Sequence, residues 1–208
     1  MRIKFYTDRP FGIKVQRWLI DQGEKIVKTK PDLIISCYNP RIISKEELTV
    51  PAINFHPGYL PLNRGMYPHI WPLVDGSQAG VTIHYINDKL DAGDIIGQKK
   101  VRTYPTDIAS DLEKRTQDAI FDLFKELWPK IKRGKVKTIK QKGNVTYHPA
   151  SEIKTIQEFD KSTIDRLRAC TFINRSYGYF MDKGKRYYIG IKFFKKEDIT
   201  KFDRTNHA

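Results

Sequence analysis

Cysteine is almost missing from this sequence: Cys37 and Cys170 are the only two in 208 residues. Two isolated thiols build neither a disulfide framework nor a zinc spacing. That excludes a small disulfide-stapled fold and a structural metal module, and makes the cytoplasm the expected compartment. Long apolar runs are missing too. No stretch approaches the roughly 20 residues needed to cross a bilayer. The opening Met1-Arg2-Ile3-Lys4-Phe5-Tyr6 lacks the apolar core and cleavage site of a secretory leader. Acidic residues are outnumbered, 24 against 38 basic, leaving a net charge of +14. Such a balance attracts polyanions. Much of the excess, however, sits in Lys130-Ile131-Lys132-Arg133-Gly134-Lys135-Val136-Lys137 and Lys183-Gly184-Lys185-Arg186. Those segments read as a helix end, a linker and a hairpin turn. With no zinc-finger spacing and no RNA-binding signature, nucleic acid is not the expected partner. A polyanionic small substrate accounts for the charge equally well.

What is present is globular: 39% hydrophobic and 30% charged residues, in a length that suits one domain with a small appendage. Residues 3–6 read as a first strand. Val15, Trp18 and Leu19 recur at helical spacing within 11–22, and Gly23 is the stop. Residues 25–28 give a short strand. The unbroken apolar run at 32–37 fits a parallel strand covered on both faces. Ser44 followed by Glu47 predicts a short capped helix, and 52–55 is the next strand. The pattern then predicts a helix over 67–74, strands over 81–86 and 95–101, and a long amphipathic helix over 107–131. Alternation of this kind implies an α/β fold, a Rossmann-like open and mostly parallel sheet with ligands beyond the carboxyl ends of its strands. The character changes after Gly134. Residues 1–134 are expected to form a catalytic core. Residues 135–208 are expected to form a connector and a small α+β subdomain, with a helix over 160–170, strands over 177–181 and 186–194, and a turn at Asp182-Lys183-Gly184-Lys185.

The chemistry concentrates between Asn54 and Asp94. Asn54-Phe55-His56-Pro57-Gly58 is followed by Asn63-Arg64-Gly65, then Gly80-Val81-Thr82-Ile83-His84, then Leu90-Asp91-Ala92-Gly93-Asp94. An imidazole can accept the proton that an amine loses as it attacks a carbonyl. An asparagine NH2 can donate to the oxygen that becomes negative. A carboxylate can orient the imidazole and favour its charged form. Asn54 and His56 are therefore the expected amide and base, and Asp91 and Asp94 compete as the carboxylate. His84, mid-strand, is read as structural, and His148 in the connector as exposed. A planar guanidinium at Arg64 would suit phosphate or carboxylate. No metal site is expected.

These motifs resemble the folate-dependent formyltransferases, whose pattern runs Asn-x-His-Pro-Ser/Gly, Leu-Pro, Arg-Gly, Gly-Val-Thr-x-His and Leu-Asp-x-Gly. Here they are Asn54, His56-Pro57-Gly58, Leu60-Pro61, Arg64-Gly65, Gly80-Val81-Thr82 with His84, and Leu90-Asp91-Ala92-Gly93. Phe159-Asp160, Leu167-Arg168-Ala169 and Gly178-Tyr179-Phe180 extend the likeness, which runs from Ser36 to about Phe194 and thins before Asp32. The resemblance implies Asp91, at the Leu-Asp-x-Gly position, as the catalytic carboxylate beside Asn54 and His56, and N10-formyltetrahydrofolate as formyl donor. Tyr38, Arg41, Ile42, Ile43, Ile86 and Asp88 would enclose it, while Tyr59, Asn63 and Arg64 would meet the acceptor.

Within the family, Thr7-Asp8-Arg9-Pro10-Phe11-Gly12 lacks the glycine-rich phosphate loop of the glycinamide ribonucleotide enzymes. The chain is also expected to be too short for the barrel domain of the tRNA enzymes. What remains resembles the sugar N-formyltransferases, which implies a nucleotide-linked amino-dideoxysugar as acceptor and a role in O-antigen or glycan synthesis. The best expectation is dTDP-4-amino-4,6-dideoxyglucose or its 3-amino isomer. A formyltetrahydrofolate hydrolase or another amine formyltransferase on the same core is the alternative. A non-catalytic basic binding protein is the weaker one. No membrane partner is expected, and a homodimer would be compatible with the resemblance.

Overall fold

The computed structural model describes residues 1–156, 159–172, 175–176 and 178–191. Two compact units divide it, Met1–Ile153 and Lys154–Ala208.

In the first unit, Arg2–Tyr6 (β1) leads into Pro10–Asp21 (α1), which starts on a proline whose missing N–H costs a helix nothing at that position. Lys25–Ile26 (β2) and Leu33–Cys37 (β3) follow, joined through residues 27–32 without a helix. A 3₁₀ turn at Lys45–Glu47 begins where expected, with Glu47 Oε2 accepting from Ser44 N at 3.2 Å. Ala52–His56 (β4), Arg64–Gly65 (β5), Trp71–Asp75 (α2), Gly80–Tyr85 (β6), Ile95–Lys100 (β7), Ala109–Lys132 (α3) and Tyr147–His148 (β8) complete it. The main sheet runs β2-β1-β3-β4-β6-β7. The first four strands are mutually parallel, and β6 is antiparallel to both its neighbours. Five strands thus share one direction, as a mostly parallel Rossmann-like sheet requires.

Period-two alternation sorts the strand residues onto two faces. Ile3, Leu33, Ile35, Cys37, Ile53, Phe55, Val81 and Ile83 join the main core with Phe11, Val15 and Leu19 of α1 and Leu112, Ile120 and Phe124 of α3. The opposite parity faces a smaller cluster of Ile34, Ala52 and Ile43, against which Tyr6, Leu48, Val50 and Ile86 pack. Asn54, His56, Thr82 and His84 share that parity.

Two elements depart from expectation: the last strand, expected over 186–194, ends at Tyr188 with residues 189–191 outside it, and one helix starts late. The helix predicted over 67–74 begins only at Trp71, because Tyr67 has φ 56° and a left-handed residue cannot lie inside an α-helix.

In the second unit, Lys161–Cys170 (α4) is capped by Asp160, which accepts from Thr163 N at 2.9 Å. Thr171–Phe172 (β9) pairs with Arg175–Ser176 (β10), and Tyr179–Asp182 (β11) with Lys185–Tyr188 (β12). Lys183 (φ 46°) and Gly184 (φ 76°) form the expected two-residue turn, whose positive angles match the twist of a hairpin. Tyr177 and residues 192–194 of the expected strands lie outside the described residues.

Candidate active site

The carboxyl end of β4 carries Asn54 and His56 on the face away from α1 and α3. Antiparallel register sets His84 of β6 directly opposite Asn54. Leu90-Asp91-Ala92-Gly93 then folds back over the end of β6. Gly93 is required there, since a Cβ on it would lie 1.7 Å from the Tyr85 carbonyl oxygen. Asp91 has φ 49°, an uncommon conformation for a residue with a side chain.

The Asp91 carboxylate is the hub. Its Oδ2 lies 3.6 Å from His56 Nδ1 and accepts from Gly65 N at 2.9 Å. Its Oδ1 lies 3.5 Å from His84 Nε2 and accepts from Asn54 Nδ2 at 3.3 Å. Asn54 Nδ2 is also 3.3 Å from His84 Nε2. His84 Nδ1 donates to the Tyr85 carbonyl at 2.8 Å, which turns Nε2 toward the cluster. Burial alone would raise the Asp91 carboxyl, yet the facing His56, His84 and Gly65 N–H outweigh it and hold the group well below the usual carboxylate range. For His56, burial dominates and lowers the imidazole, against the opposing pull of Asp91. The ring is therefore neutral near pH 7 and able to accept a proton.

His56 is only 3% exposed, with Nε2 donating to the Asn63 carbonyl at 2.9 Å. A Cβ at Gly58 would sit 2.7 Å from that same nitrogen, so glycine gives the ring its room. Asn54 is the half-buried member of the trio, at the boundary with solvent.

The other expected site residues divide. Ile43 and Ile86 meet in the smaller apolar cluster. Arg41 ion-pairs with Glu47 at 2.8 Å and lies over the Tyr6 ring. Ile42 is 76% exposed, and Asp88 is exposed beside Asn87. Tyr38 turns to the opposite face, edge-on to Phe11 at 4.9 Å, and packs on the main core. Tyr59 packs against Gly80 under Lys100, at the far end of β6 from His84. The Asn63 side chain is fully buried: Nδ2 donates to Ser77 Oγ at 2.9 Å, and Oδ1 faces Thr146 Oγ1 at 3.3 Å and His148 Nε2 at 3.1 Å. Arg64 donates to Gln141 Oε1 at 2.8 Å, while its buried Nε has no hydrogen-bond partner among the described residues. No metal-binding group of His, Cys, Asp or Glu occurs among the described residues.

Two histidines need correction. His148 is buried, stacked on Trp71 at 4.0 Å, where an exposed residue was expected. His84 belongs to the Asp91 cluster. Its signal was legible: Thr82 and His84 alternate with the core residues Val81 and Ile83, so both must leave the core face.

A neutral imidazole, a buried carboxylate and a boundary carboxamide thus converge where β4 ends, the kinds of group that acyl transfer can use. The chain belongs to the formyl transferase family, whose description matches residues 18–126, just over half of it. It is thereby a folate-dependent N-formyltransferase, as its motifs implied. Among solved structures it is similar to the formyltransferase PseJ from Anoxybacillus kamchatkensis, in complex with UDP-4,6-dideoxy-4-formamido-L-AltNAc and tetrahydrofolate. That likeness has 30% identity and TM-score 0.64, over 74% of this chain and 88% of that one. A 4-N formyltransferase from Francisella tularensis shares the fold with 23% identity and TM-score 0.69, over 93% of this chain and 98% of that one. A sugar N-formyltransferase from Shewanella sp. FDAARGOS_354 does so with 21% identity and TM-score 0.69, over 94% and 99%.

Proposed function

We propose that the protein transfers a formyl group from N10-formyltetrahydrofolate to the 4-amino group of a nucleotide-linked amino-dideoxysugar. The observation that carries this reading is the convergence of Asn54, His56 and Asp91 at one strand end, on the sheet face that the long helices do not fill. The sugar and the 4-position are supported by the relative at 30% identity, which was crystallised with a 4-formamido product. The dTDP and UDP forms are both candidates for the nucleotide.

In this reading a new amide bond forms between the sugar nitrogen and the formyl carbon, and the bond from that carbon to N10 breaks. Asn54 Nδ2 donates to the formyl oxygen as it becomes negative, exchanging its long 3.3 Å contacts for a stronger one. His56 accepts the proton lost by the amine and returns it to the departing N10. For this the amine must displace the Asn63 carbonyl from Nε2, and the ring proton must move to Nδ1, which faces Asp91 Oδ2, leaving Nε2 free to accept. Asp91 then faces an imidazolium across 3.6 Å and stabilises it. Ile43 and Ile86 offer the donor's pterin an apolar wall of the kind small-molecule sites use. Arg64, whose buried Nε has no hydrogen-bond partner among the described residues, is the cation that would meet an anionic acceptor.

The test is incubation with N10-formyltetrahydrofolate and a panel of UDP- and dTDP-linked 3-amino and 4-amino dideoxysugars, followed by mass spectrometry. Gain of one formyl group on a 4-amino member is the expected result. Formylation of 3-amino members alone overturns the position, and formate release without any amine makes the protein a hydrolase.

A further inference from the structure

The segment after α3, which reads in the sequence as a basic connector, crosses the catalytic cluster as a strap. It first docks on the sheet edge, where Ile139 and Ile95 exchange both backbone hydrogen bonds at 2.8 and 2.9 Å. It then pairs in parallel with the loop after β4, Arg64 opposite Tyr147 and Gly65 opposite His148. A Cβ on Gly65 would stand 2.4 Å from the His148 carbonyl oxygen, so only glycine allows this approach. Thr146 Oγ1 accepts from Asn63 N at 2.7 Å. The strap thereby fixes the residue whose carbonyl accepts from the His56 ring and the loop whose Gly65 N–H meets Asp91.

Between these two anchors lies Gln141. Its Nε2 donates to the carbonyl oxygens of both Asp91 and Gly93 at 2.8 Å, and its Oε1 accepts from Arg64. Both donors and the acceptor of one side chain are thus spent on the two segments that bracket the carboxylate. Asp91 holds a left-handed backbone that a non-glycine residue adopts only when its surroundings impose it. Two charge-neutral donors gripping that turn are such an imposition.

We propose that Gln141 is a positioning residue for the formyl transfer: its carboxamide locks the Asp91–Gly93 turn and so sets the carboxylate between His56, His84 and Asn54. The proposal rests on the assignment of Asn54, His56 and Asp91 as the catalytic trio. It does not depend on which sugar is used. Gln141 touches none of the reacting atoms; it acts through Asp91. The groups facing Asp91 are Asn54 and His56 from β4, His84 from β6 and the Gly65 N–H from β5, and the Arg64 charge acts on the His56 ring.

Two variants separate this role from that of a simple tether. Gln141→Leu removes every polar contact. Gln141→Glu keeps the shape and the acceptor for Arg64, but replaces both donors with a carboxylate oxygen that repels the Asp91 and Gly93 carbonyls. If the donors position Asp91, both variants lower kcat by on the order of 10–100-fold with KM little changed, as a catalytic group displaced by a fraction of an ångström to an ångström does. The His56 ring, followed by NMR in the substrate-free protein, should titrate at lower pH in Gln141→Leu, because the carboxylate that favours its charged form has moved. The negative charge added in Gln141→Glu pulls the ring the other way, so that variant is read by kcat. If Gln141 only tethers Arg64, Gln141→Glu keeps wild-type kcat, and the proposal falls. Should Gln141→Leu fail to fold, the kcat of Gln141→Glu decides alone. The NMR arm needs no substrate, so it remains decisive even if the acceptor sugar proves to be a different one.

Discussion

The two faces of the central sheet are built from the same strands and do opposite work. On one, Ile53 and Phe55 of β4 and Val81 and Ile83 of β6 meet α1 and α3, and Phe124 packs against Phe55 at 4.8 Å and Trp18 at 5.6 Å. On the other, the intervening residues Asn54, His56, Thr82 and His84 share a face with the smaller cluster of Ile34, Ala52 and Ile43. A single parity rule thus assigns packing to one side and chemistry to the other. The lesson is that stability and turnover should be separable by face, even between adjacent residues of one strand.

The sharpest break of that separation pairs His56→Ala with Phe124→Ala. His56→Ala should lower kcat by on the order of 10²–10⁴, the range for general acid–base groups, with nucleotide-sugar binding little changed. Phe124→Ala should cost about 3–5 kcal/mol of stability by denaturant titration, as buried aromatic truncations do, while the folded fraction keeps its turnover. Near wild-type kcat for His56→Ala would remove it from the mechanism.

Next in size is Asn54. Asn54→Ala should cost roughly 10²–10³ in kcat, the loss expected for one oxyanion donor. Asn54→Asp should be worse, because it sets a second carboxylate against Asp91 Oδ1 as well as against the developing negative charge. An aspartate variant that outperforms alanine would show that the amide does not face that oxygen.

Asp91 and Asp94 give a finer comparison within one turn. Asp91→Asn removes the charge facing both histidines, so turnover should drop sharply and the His56 titration should move down. Asp94 contributes its backbone carbonyl, which accepts from Tyr85 N at 2.9 Å, and Asp94→Asn should leave kcat nearly intact. Loss of activity in folded Asp94→Asn with Asp91→Asn active would reverse the assignment.

The smallest effect is on acid stability. His56 is lowered in the folded protein, so below its unfolded pKa of about 6.5 the unfolded chain takes up a proton that the folded one resists, and stability falls. Asp91 is also lowered. Its contribution is complete above the unfolded value of about 3.9 and is lost as pH falls toward the folded one. Both slopes run the same way, and Asp91→Asn should flatten the lower of the two in thermal melts taken across pH.

Much of this was readable from the chain. β3 and β4 declare themselves by apolar runs, α3 by its periodic stripe, and the cluster of Asn54, His56 and Asp91 by residue types and family motifs that the structure brings together. What was not readable depends on partners distant in sequence. Tyr38 follows a buried strand like any loop residue, and only the position of Phe11 on α1 draws it to the core side. His148 sits among polar neighbours, and its burial comes from Trp71 and Asn63. Gln141 has no local pattern at all. The start of α2 was missed for a different reason, since the left-handed angle at Tyr67 leaves no mark in hydrophobic periodicity.

The strap also sets an order of assembly. Its hydrogen bonds to Asp91, Gly93 and Asn63 join residues 50, 48 and 83 positions apart in the chain. Loops of that length are expensive to close before the elements they join are already in place. α3 ends at Lys132, so during synthesis the sheet and both long helices emerge before any strap residue does. A nascent chain that has reached Gly134 can bury its core, yet Asp91 and Asn63 still lack the contacts that hold them. Catalytic competence should therefore lag behind compactness, during refolding as during synthesis. Measured side by side in one refolding experiment on a Trp71→Phe variant, whose remaining Trp18 and Trp128 pack in the main core, the recovery of tryptophan burial should precede the recovery of turnover.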